Sequence, residues 1–212
     1  MKADFRLYLA TDSKYLAGRE SIPLIAACIE RGVTAVQLRD KQATSRELHD
    51  LGGQLLDVTR SYGVPLIIND RVDIMLSLGA EGVHVGRDDL PLESVRMLAP
   101  KAIVGSTAKT VKDVREAEMA GADYVGVGPV FATETKEQAG PVLGPDGVRE
   151  IAAASHLPCV AIGGINETNV TRLAGTGVAG VCVIAGILDQ DDPGEAASLL
   201  RWLMEADADA VE

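Results

Sequence analysis

Arg39 and Lys41 stand two residues apart in "VQLRDK", and a third cation, Lys136, follows Thr133 and Thr135 in "TETK". Side chains two residues apart on extended backbone project to the same side. The three cations therefore predict a cradle for a diphosphate, with Arg39 bonding through its planar fork and the lysines acting as point charges. Ordinary surface ion pairs are the alternative, disfavoured by so local a gathering of cations in a chain of formal net charge -11. Asp70 in "IIND" and Asp89 in "GRDD" each follow an apolar run. Two such carboxylates can share one Mg²⁺ and leave its other positions to water and phosphate oxygens. Read alone, Asp70 serves equally as a helix N-cap before "RVDIML". The nearby cations shift the balance, since a metal and cations together are what an anionic leaving group needs. Thr133 and Thr135, just past Val130 and Phe131, suggest a second held anion. Gly163 and Gly164 in "VAIGGIN", with Ala185 and Gly186 in "VIAGIL", let backbone N–H groups approach phosphate oxygens. Tight turns are the plainer reading of the same glycines.

These residues need elements to carry them. Short runs rich in β-branched residues recur as "RLYLAT", "AVQLR", "PLIIND", "GVHVG", "AIVGST", "DYVGVGPV", "PCVAIGG" and "GVCVIAG". Between them lie helical periodicities such as "SRELHDLGGQLLDVTRSYG", "VDIMLSLG", "LESVRMLAP", "VKDVREAEMAG", "GVREIAAAS" and "NVTRLAGTG". Gly63, Gly79, Gly121 and Gly177 mark helix stops before the next strand. Strict alternation without a linker predicts parallel strands with crossover helices, and a single α/β (β/α)₈ barrel is the economical closure. An open doubly wound sheet is disfavoured because "LATDSKYLAG" has no glycine-rich turn after the first strand. The barrel spans 1–207, with 208–212 as an acidic solvated tail.

In such a barrel, function gathers at the C-terminal strand ends, and phosphates often sit between the last two βα loops. Gln37, Arg39, Lys41, Asn69, Asp70, His84, Arg87, Asp88, Asp89, Ser106, Thr107, Lys109, Thr133, Thr135 and Lys136 all fall there. His84, flanked by valines, is expected to be a hydrogen-bonded interior histidine, since no second His or Cys stands at ligand spacing. Asp88 reads as a solvated neighbour of Asp89, and His49 and His156 carry no signal.

Composition sets the outer bounds. At 47% hydrophobic residues with few aromatics, the core must be aliphatic, which suits strands buried on both faces. The acidic balance and the lack of a Lys/Arg-rich run argue against a nucleic-acid partner. Cys28, Cys159 and Cys182 are widely spaced in apolar segments and read as reduced core residues of a cytoplasmic protein. No signal-like or membrane-length apolar segment is present. A homo-oligomer is compatible with all of this.

The segments "VQLRDK", "IINDRVDI", "GVHVGRDDLP", "GADYVGVGPVFATETK" and "VAIGGIN" occur in order and spacing that resemble the thiamine-phosphate synthase (thiamine-phosphate pyrophosphorylase) family. The likeness runs from about Gln37 to Gly186. It implies a (β/α)₈ barrel that joins 4-amino-5-hydroxymethyl-2-methylpyrimidine diphosphate to 4-methyl-5-(2-phosphoethyl)thiazole, using Mg²⁺ and releasing diphosphate. By the same resemblance, Gln37, Leu38, Arg39, Asp40, Lys41, Asn69, Thr107 and Lys136 hold the pyrimidine diphosphate. Arg39, Lys41 and Lys136 are the implied catalytic groups. Thr133, Glu134, Thr135, Gly164, Ile184 and Ala185 hold the thiazole phosphate, and Asp70 and Asp89 the metal. The family is thought to work dissociatively, diphosphate leaving before the thiazole nitrogen attacks. That needs charge stabilisation and positioning and no strong base.

Four positions in three loops depart from the family pattern: Arg87 where Gln is common, Thr107 and Lys109 at the usual Ser and His, and Ala185 at a frequent Ser. Thr107 keeps a hydroxyl and Ala185 its N–H. Arg87 and Lys109 add positive charge and predict tighter diphosphate binding and slower release. A thiazole tautomer isomerase of the same fold, or a non-catalytic thiazole-phosphate or thiamine-phosphate sensor, are the competing readings; retention of Asp70, Asp89 and Lys136 disfavours the first and of the cations the second. The stretch 131–145, with "TKEQ" followed by Gly140, Pro141, Gly144 and Pro145, is expected to be a flap over substrate.

Overall fold

The fold is seen in a computed structural model that describes residues 3–133, 135 and 140–208. Glu134, Lys136 and the tail from 209 onward lie outside the described residues. Eight strands form: β1 (Leu7–Ala10), β2 (Ala35–Leu38), β3 (Leu66–Asn69), β4 (Gly82–Val85), β5 (Ile103–Ala108), β6 (Tyr124–Val127), β7 (Cys159–Ile162) and β8 (Gly180–Val183). Each predicted apolar run supplies one of them. Every neighbouring pair is parallel, and β8 returns to β1 with Leu7 opposite Val181, closing the barrel.

Period-two alternation divides the apolar residues into two layers. Leu7, Leu9, Val36, Leu38, Leu66 and Ile68 face outward into the main core beneath the helices, while Tyr8, Ala10, Ala35, Ile67, Tyr124, Val160 and Cys182 with Phe5 fill the barrel floor. Cys28, Cys159 and Cys182 are buried free thiols. Burial pushes the Cys28 and Cys182 thiols up to about 12.

The helices are α1 (Ser13–Leu16), α2 (Ser21–Glu30), α3 (Ser45–Ser61), α4 (Val72–Leu78), α5 (Leu92–Leu98), α6 (Val111–Met119), α7 (Gly144–Ala153), α8 (Ala185–Leu188) and α9 (Pro193–Ala208). Capping boxes start α3, through Thr44 and Glu47, and α6, through Thr110 and Asp113. Gly79 ends α4 at φ 66°, a left-handed stop that a side chain would strain.

The structure departs from periodicity in three places. The segment predicted as a helix before β8 is a single 3₁₀ turn, Val170–Leu173. Its β-branched start and the closely following Gly175 and Gly177, both at positive φ, leave no room for a second turn. Helices α2 and α9 were not predicted, because "SIPLIAACIE" is apolar nearly all round and α9 runs into the acidic end; the two pack on each other across the barrel's closing edge. Finally, Gly144 and Pro145 open α7, so the expected flap is shorter than 131–145 at its C-terminal end. It is also anchored, Leu143 N–H donating to Pro129 O and Gly144 N–H to Val130 O. No helix among the described residues is long and apolar enough to cross a membrane.

Candidate active site

A cavity of about 490 Å³ opens at the C-terminal mouth of the barrel. Of the residues singled out in the sequence, Gln37, Arg39, Asn69, Thr107, Thr133, Thr135, Gly164, Ile184 and Ala185 all line it. Register explains the convergence: Gln37 is the inward residue of β2, Asn69 closes β3 opposite His84, and Thr107 pairs with Gly126. Gln37 is buried at 5% exposure.

Arg39 is held by the end of β1. Its N–H donates to Thr11 Oγ1 at 2.9 Å, Thr11 Oγ1 donates to Arg39 O at 3.0 Å, and its guanidinium bonds the Asp12 carboxylate. That ion pair is largely buried, at 14% and 15% side-chain exposure. Asp12 also accepts from Lys14 N–H as the N-cap of α1. Sequence reasoning passed over Asp12, although "ATDSK" has the form of a helix start.

Lys41 reaches in the other direction and bonds the Asp70 carboxylate. The expectation that Arg39 and Lys41 project together is therefore corrected: β2 ends at Leu38, and the two side chains reach Asp12 and Asp70 respectively. Their charges instead bracket the mouth, one toward β1 and one toward β3. Leu38 and Asp40 are absent from the cavity lining. The Leu38 side chain is turned outward into the core beneath α3, so only its backbone is available. Asp40 spends its Oδ1 on Ser13 Oγ, Gln42 N–H and Ala43 N–H, which shapes the loop carrying Lys41 and leaves it outside the cavity.

Asp70 is a non-glycine residue at φ 62°, and its N–H donates to His84 O at 2.8 Å. It does not cap α4; Arg71 occupies the cap position without a side-chain bond. A left-handed aspartate costs conformational energy and turns its carboxylate back toward the β3 and β4 ends, the kind of outlier that marks a functional position. Asp89 meets it there, anchored by Gly86 N–H at 2.7 Å. Burial, and then the bond and charge of the adjacent Asp70, push Asp89 above the usual carboxylate range, with Gly86 and Lys41 pulling the other way. Two crowded carboxylates beside one ammonium suit a hard cation. Among the described residues there is no group of three or more His, Cys, Asp or Glu around a common point. The donor set thus fits a metal that keeps waters and ligand oxygens, as Mg²⁺ does, and not one caged by protein. The pair stands at the rim beside the cavity that Asn69 lines.

On the opposite side, Val130 N–H and Phe131 N–H donate to Ile162 O and Gly163 O, at 2.9 and 3.0 Å, knitting the β6 loop to the β7 loop. A Cβ at Gly164 would lie 2.3 Å from Ala132 O, and one at Gly163 2.8 Å from Pro129. Both glycines are required by this close approach as well as by positive φ. Their backbone, Thr133, Thr135 and the first turn of α8 surround one end of the cavity. The flap's charged centre, with Lys136 and Glu134, lies outside the described residues.

Arg87 is 76% exposed in its side chain and donates to Asp113 Oδ1 at 2.8 Å, whereas Lys109 lines the cavity. His84 is interior and hydrogen-bonded, as its valine flanks imply. Asp88 is exposed.

The architecture and its mouth define a single-barrel α/β protein with a polar-lined cavity at the strand ends. The family described as thiamine monophosphate synthase matches residues 7–187, and this chain belongs to it. It is similar to the thiamine-phosphate synthase of Caldanaerobacter subterraneus subsp. tengcongensis, 46% identical over 207 residues and covering 97% of this chain and 96% of that one. The thiamine-phosphate synthase of Desulfitobacterium hafniense is 44% identical over 204 residues, covering 96% and 99%. The solved thiamine phosphate pyrophosphorylase of Pyrococcus furiosus superposes with a TM-score of 0.89 at 35% identity, over 97% of this chain and 98% of that one. Likeness to 3-hexulose-6-phosphate synthase, at 17% identity and TM-score 0.69, reflects the fold alone.

Proposed function

We propose that this chain couples 4-amino-5-hydroxymethyl-2-methylpyrimidine diphosphate with 4-methyl-5-(2-phosphoethyl)thiazole, forming thiamine phosphate and releasing diphosphate. It is a transferase of thiamine biosynthesis, in keeping with its family and its full-length relatives. The observation that carries the reading in this chain is the convergence of Gln37, Arg39, Asn69 and Thr107 with Gly164 and Ala185 on one cavity, bordered by Asp70 and Asp89. The isomerase and sensor readings are not favoured, since neither needs that carboxylate pair.

Mg²⁺ bound between Asp70 and Asp89 would supply charge neutralisation to a departing diphosphate. Arg39, fixed by Thr11 and Asp12, offers guanidinium N–H groups to the same leaving group, and Lys41 adds a charge from the other side. The methylene–oxygen bond breaks with its electron pair going to diphosphate. The thiazole nitrogen then donates its lone pair to the exposed carbon. The β6 and β7 loops and α8 hold the thiazole phosphate end, so that this nitrogen is already placed. The test is thiamine phosphate formation from both substrates with Mg²⁺, with and without chelator. Metal-dependent product is expected; bound thiazole phosphate without product sinks the reading.

The two added cations should behave differently, because only Lys109 faces the cavity. Lys109→His is expected to raise the inhibition constant for diphosphate by roughly two- to five-fold, the worth of one partly solvated charge. Arg87→Gln, exposed and already satisfied by Asp113, should change it less than about two-fold. Product-inhibition titrations of both variants check this, and equal effects would contradict the assignment.

A further inference from the structure

Across the cavity floor, side chains from five different strands form one unbroken series of hydrogen bonds. Gln37 Nε2 donates to Tyr8 Oη at 2.8 Å, and Tyr8 Oη lies 3.1 Å from Tyr124 Oη. Tyr124 Oη is 3.0 Å from His84 Nδ1, and His84 Nε2 is 3.1 Å from Thr107 Oγ1. The series thus joins Gln37 to Thr107, two residues of the cavity wall, through three buried groups. Space for it is built into the barrel. A Cβ at Gly105 would lie 2.1 Å from Tyr124 Cζ, and one at Gly126 3.2 Å from His84 Cε1. Phe5 packs its ring 4.3 Å from that of Tyr124, closing the floor below.

A hydroxyl has one proton to donate, so with a neutral His84 a series of this kind has only two polarities. With Gln37 donating, Tyr8 donates to Tyr124 and Tyr124 to His84 Nδ1. His84 then carries its proton on Nε2 and donates to Thr107, whose own proton is released toward the cavity. In the reverse polarity Gln37 presents Oε1 to Tyr8, and every bond turns round. Thr107 then donates inward and shows only lone pairs to the cavity. Burial pushes both phenols well above their usual range, so each keeps its single proton throughout. An anion beside Thr107 favours the first polarity, because an oxyanion needs a donor. Bonds in such a low-dielectric series also reinforce one another.

We propose that Tyr8, Tyr124 and His84 are positioning residues that lock this series in one polarity, aiming the Thr107 proton at the anion and fixing which amide atom of Gln37 faces the heterocycle. The inference deepens the coupling function proposed above and rests on it. An amide held in one flip state offers its carbonyl and N–H in a fixed order, complementary to an aminopyrimidine edge; the flipped amide would match the oxo counterpart. Selection of the amino-substituted ring is thereby tied to occupancy of the anion site, through Tyr8, Tyr124 and His84 on the cavity floor.

Two measurements test it. The first reads the tautomer of His84 directly, by ¹⁵N NMR of histidine-labelled full-length protein with Mg²⁺ and inorganic diphosphate. A neutral Nε2–H form is expected, and either a neutral Nδ1–H form or a doubly protonated ring overturns the proposal. The second compares kcat/KM for the aminopyrimidine diphosphate and its 4-oxo analogue in the wild type, Tyr8→Phe and Tyr124→Phe. The ratio is expected to fall at least roughly ten-fold in each, about 1.4 kcal/mol of lost discrimination, with KM for the thiazole phosphate unchanged. An unchanged ratio, or equal loss for both pyrimidines alongside a lower Tm, means a merely structural role. Should Tyr124→Phe fail to fold, Tyr8→Phe decides, because it removes the Gln37 anchor and leaves the Tyr124–His84 bond in place. A wild type that makes no thiamine phosphate would remove the coupling function itself, and the tautomer would then decide the polarity alone.

Discussion

Asp70→Asn and Asp89→Asn should each lower the rate of thiamine phosphate formation by on the order of 10²–10³-fold, the usual cost of losing a group that stabilises developing negative charge. What remains should be insensitive to chelator, because the residual rate would come from Arg39 and Lys41 without a metal. Asp89→Asn should have an opposite effect on stability. Asp89 is held above the usual carboxylate range by burial and by Asp70. A carboxyl whose folded pKa is raised favours the fold below its unfolded pKa and loses that contribution as pH climbs through the folded value. As pH rises, ionising Asp89 in its buried place beside Asp70 costs the fold more, so in chelator Asp89→Asn should melt higher than the wild type at pH 7.5, by about 2–4 °C for each kcal/mol of repulsion removed. Melting curves at pH 5 and pH 7.5 check the sign: the advantage should shrink at the lower pH. A metal-dependent rate within about three-fold of wild type would contradict the assignment of the pair.

Arg39→Ala should be costly in two separable ways. Its ion pair with Asp12 is about as buried as any in the barrel mouth, and removing one partner leaves an uncompensated carboxylate. Breaking such pairs costs about 3–5 kcal/mol, and the remaining solvent access at both side chains places this one near the lower figure. A loss of about 3 kcal/mol corresponds to a Tm lower by about 6–12 °C. Adding Asp12→Asn should restore much of that stability, since no charge is then left unpaired. It should not restore coupling, because the guanidinium proposed to bind the leaving group is still missing. If the double variant recovers activity together with Tm, Arg39 serves the fold alone. Calorimetry and steady-state kinetics on the wild type, two single variants and the double variant complete the cycle.

The strands were legible because each is a short β-branched run buried on both faces, a pattern that survives without knowledge of its neighbours. The helices were legible only where one face is polar. Helix α2 is apolar on nearly every side because it is covered by α9, and no single-segment periodicity encodes a partner from the far end of the chain. The 3₁₀ turn before β8 was read as a helix because its residues suit one, while the following glycines limit its length.

Residue types and their places at strand ends were enough to identify Gln37, Asn69, Asp70, Asp89 and Thr107 as site candidates, because period-two alternation and barrel polarity are local rules. Directions beyond a strand end are not local. Arg39 and Lys41 part company once β2 stops at Leu38, each drawn to a carboxylate just past the end of a different neighbouring strand. The sequence by itself determined a closed eight-stranded barrel with candidate polar residues gathered at its mouth, since alternation, helix stops and strand-end chemistry are all written within short segments. Only the tertiary structure decided that Asp12 clamps Arg39, that Asp70 adopts a left-handed turn toward Asp89, and that Tyr8 and Tyr124 meet across 116 residues. Those contacts join different strands, and their geometry exists only once the barrel has closed.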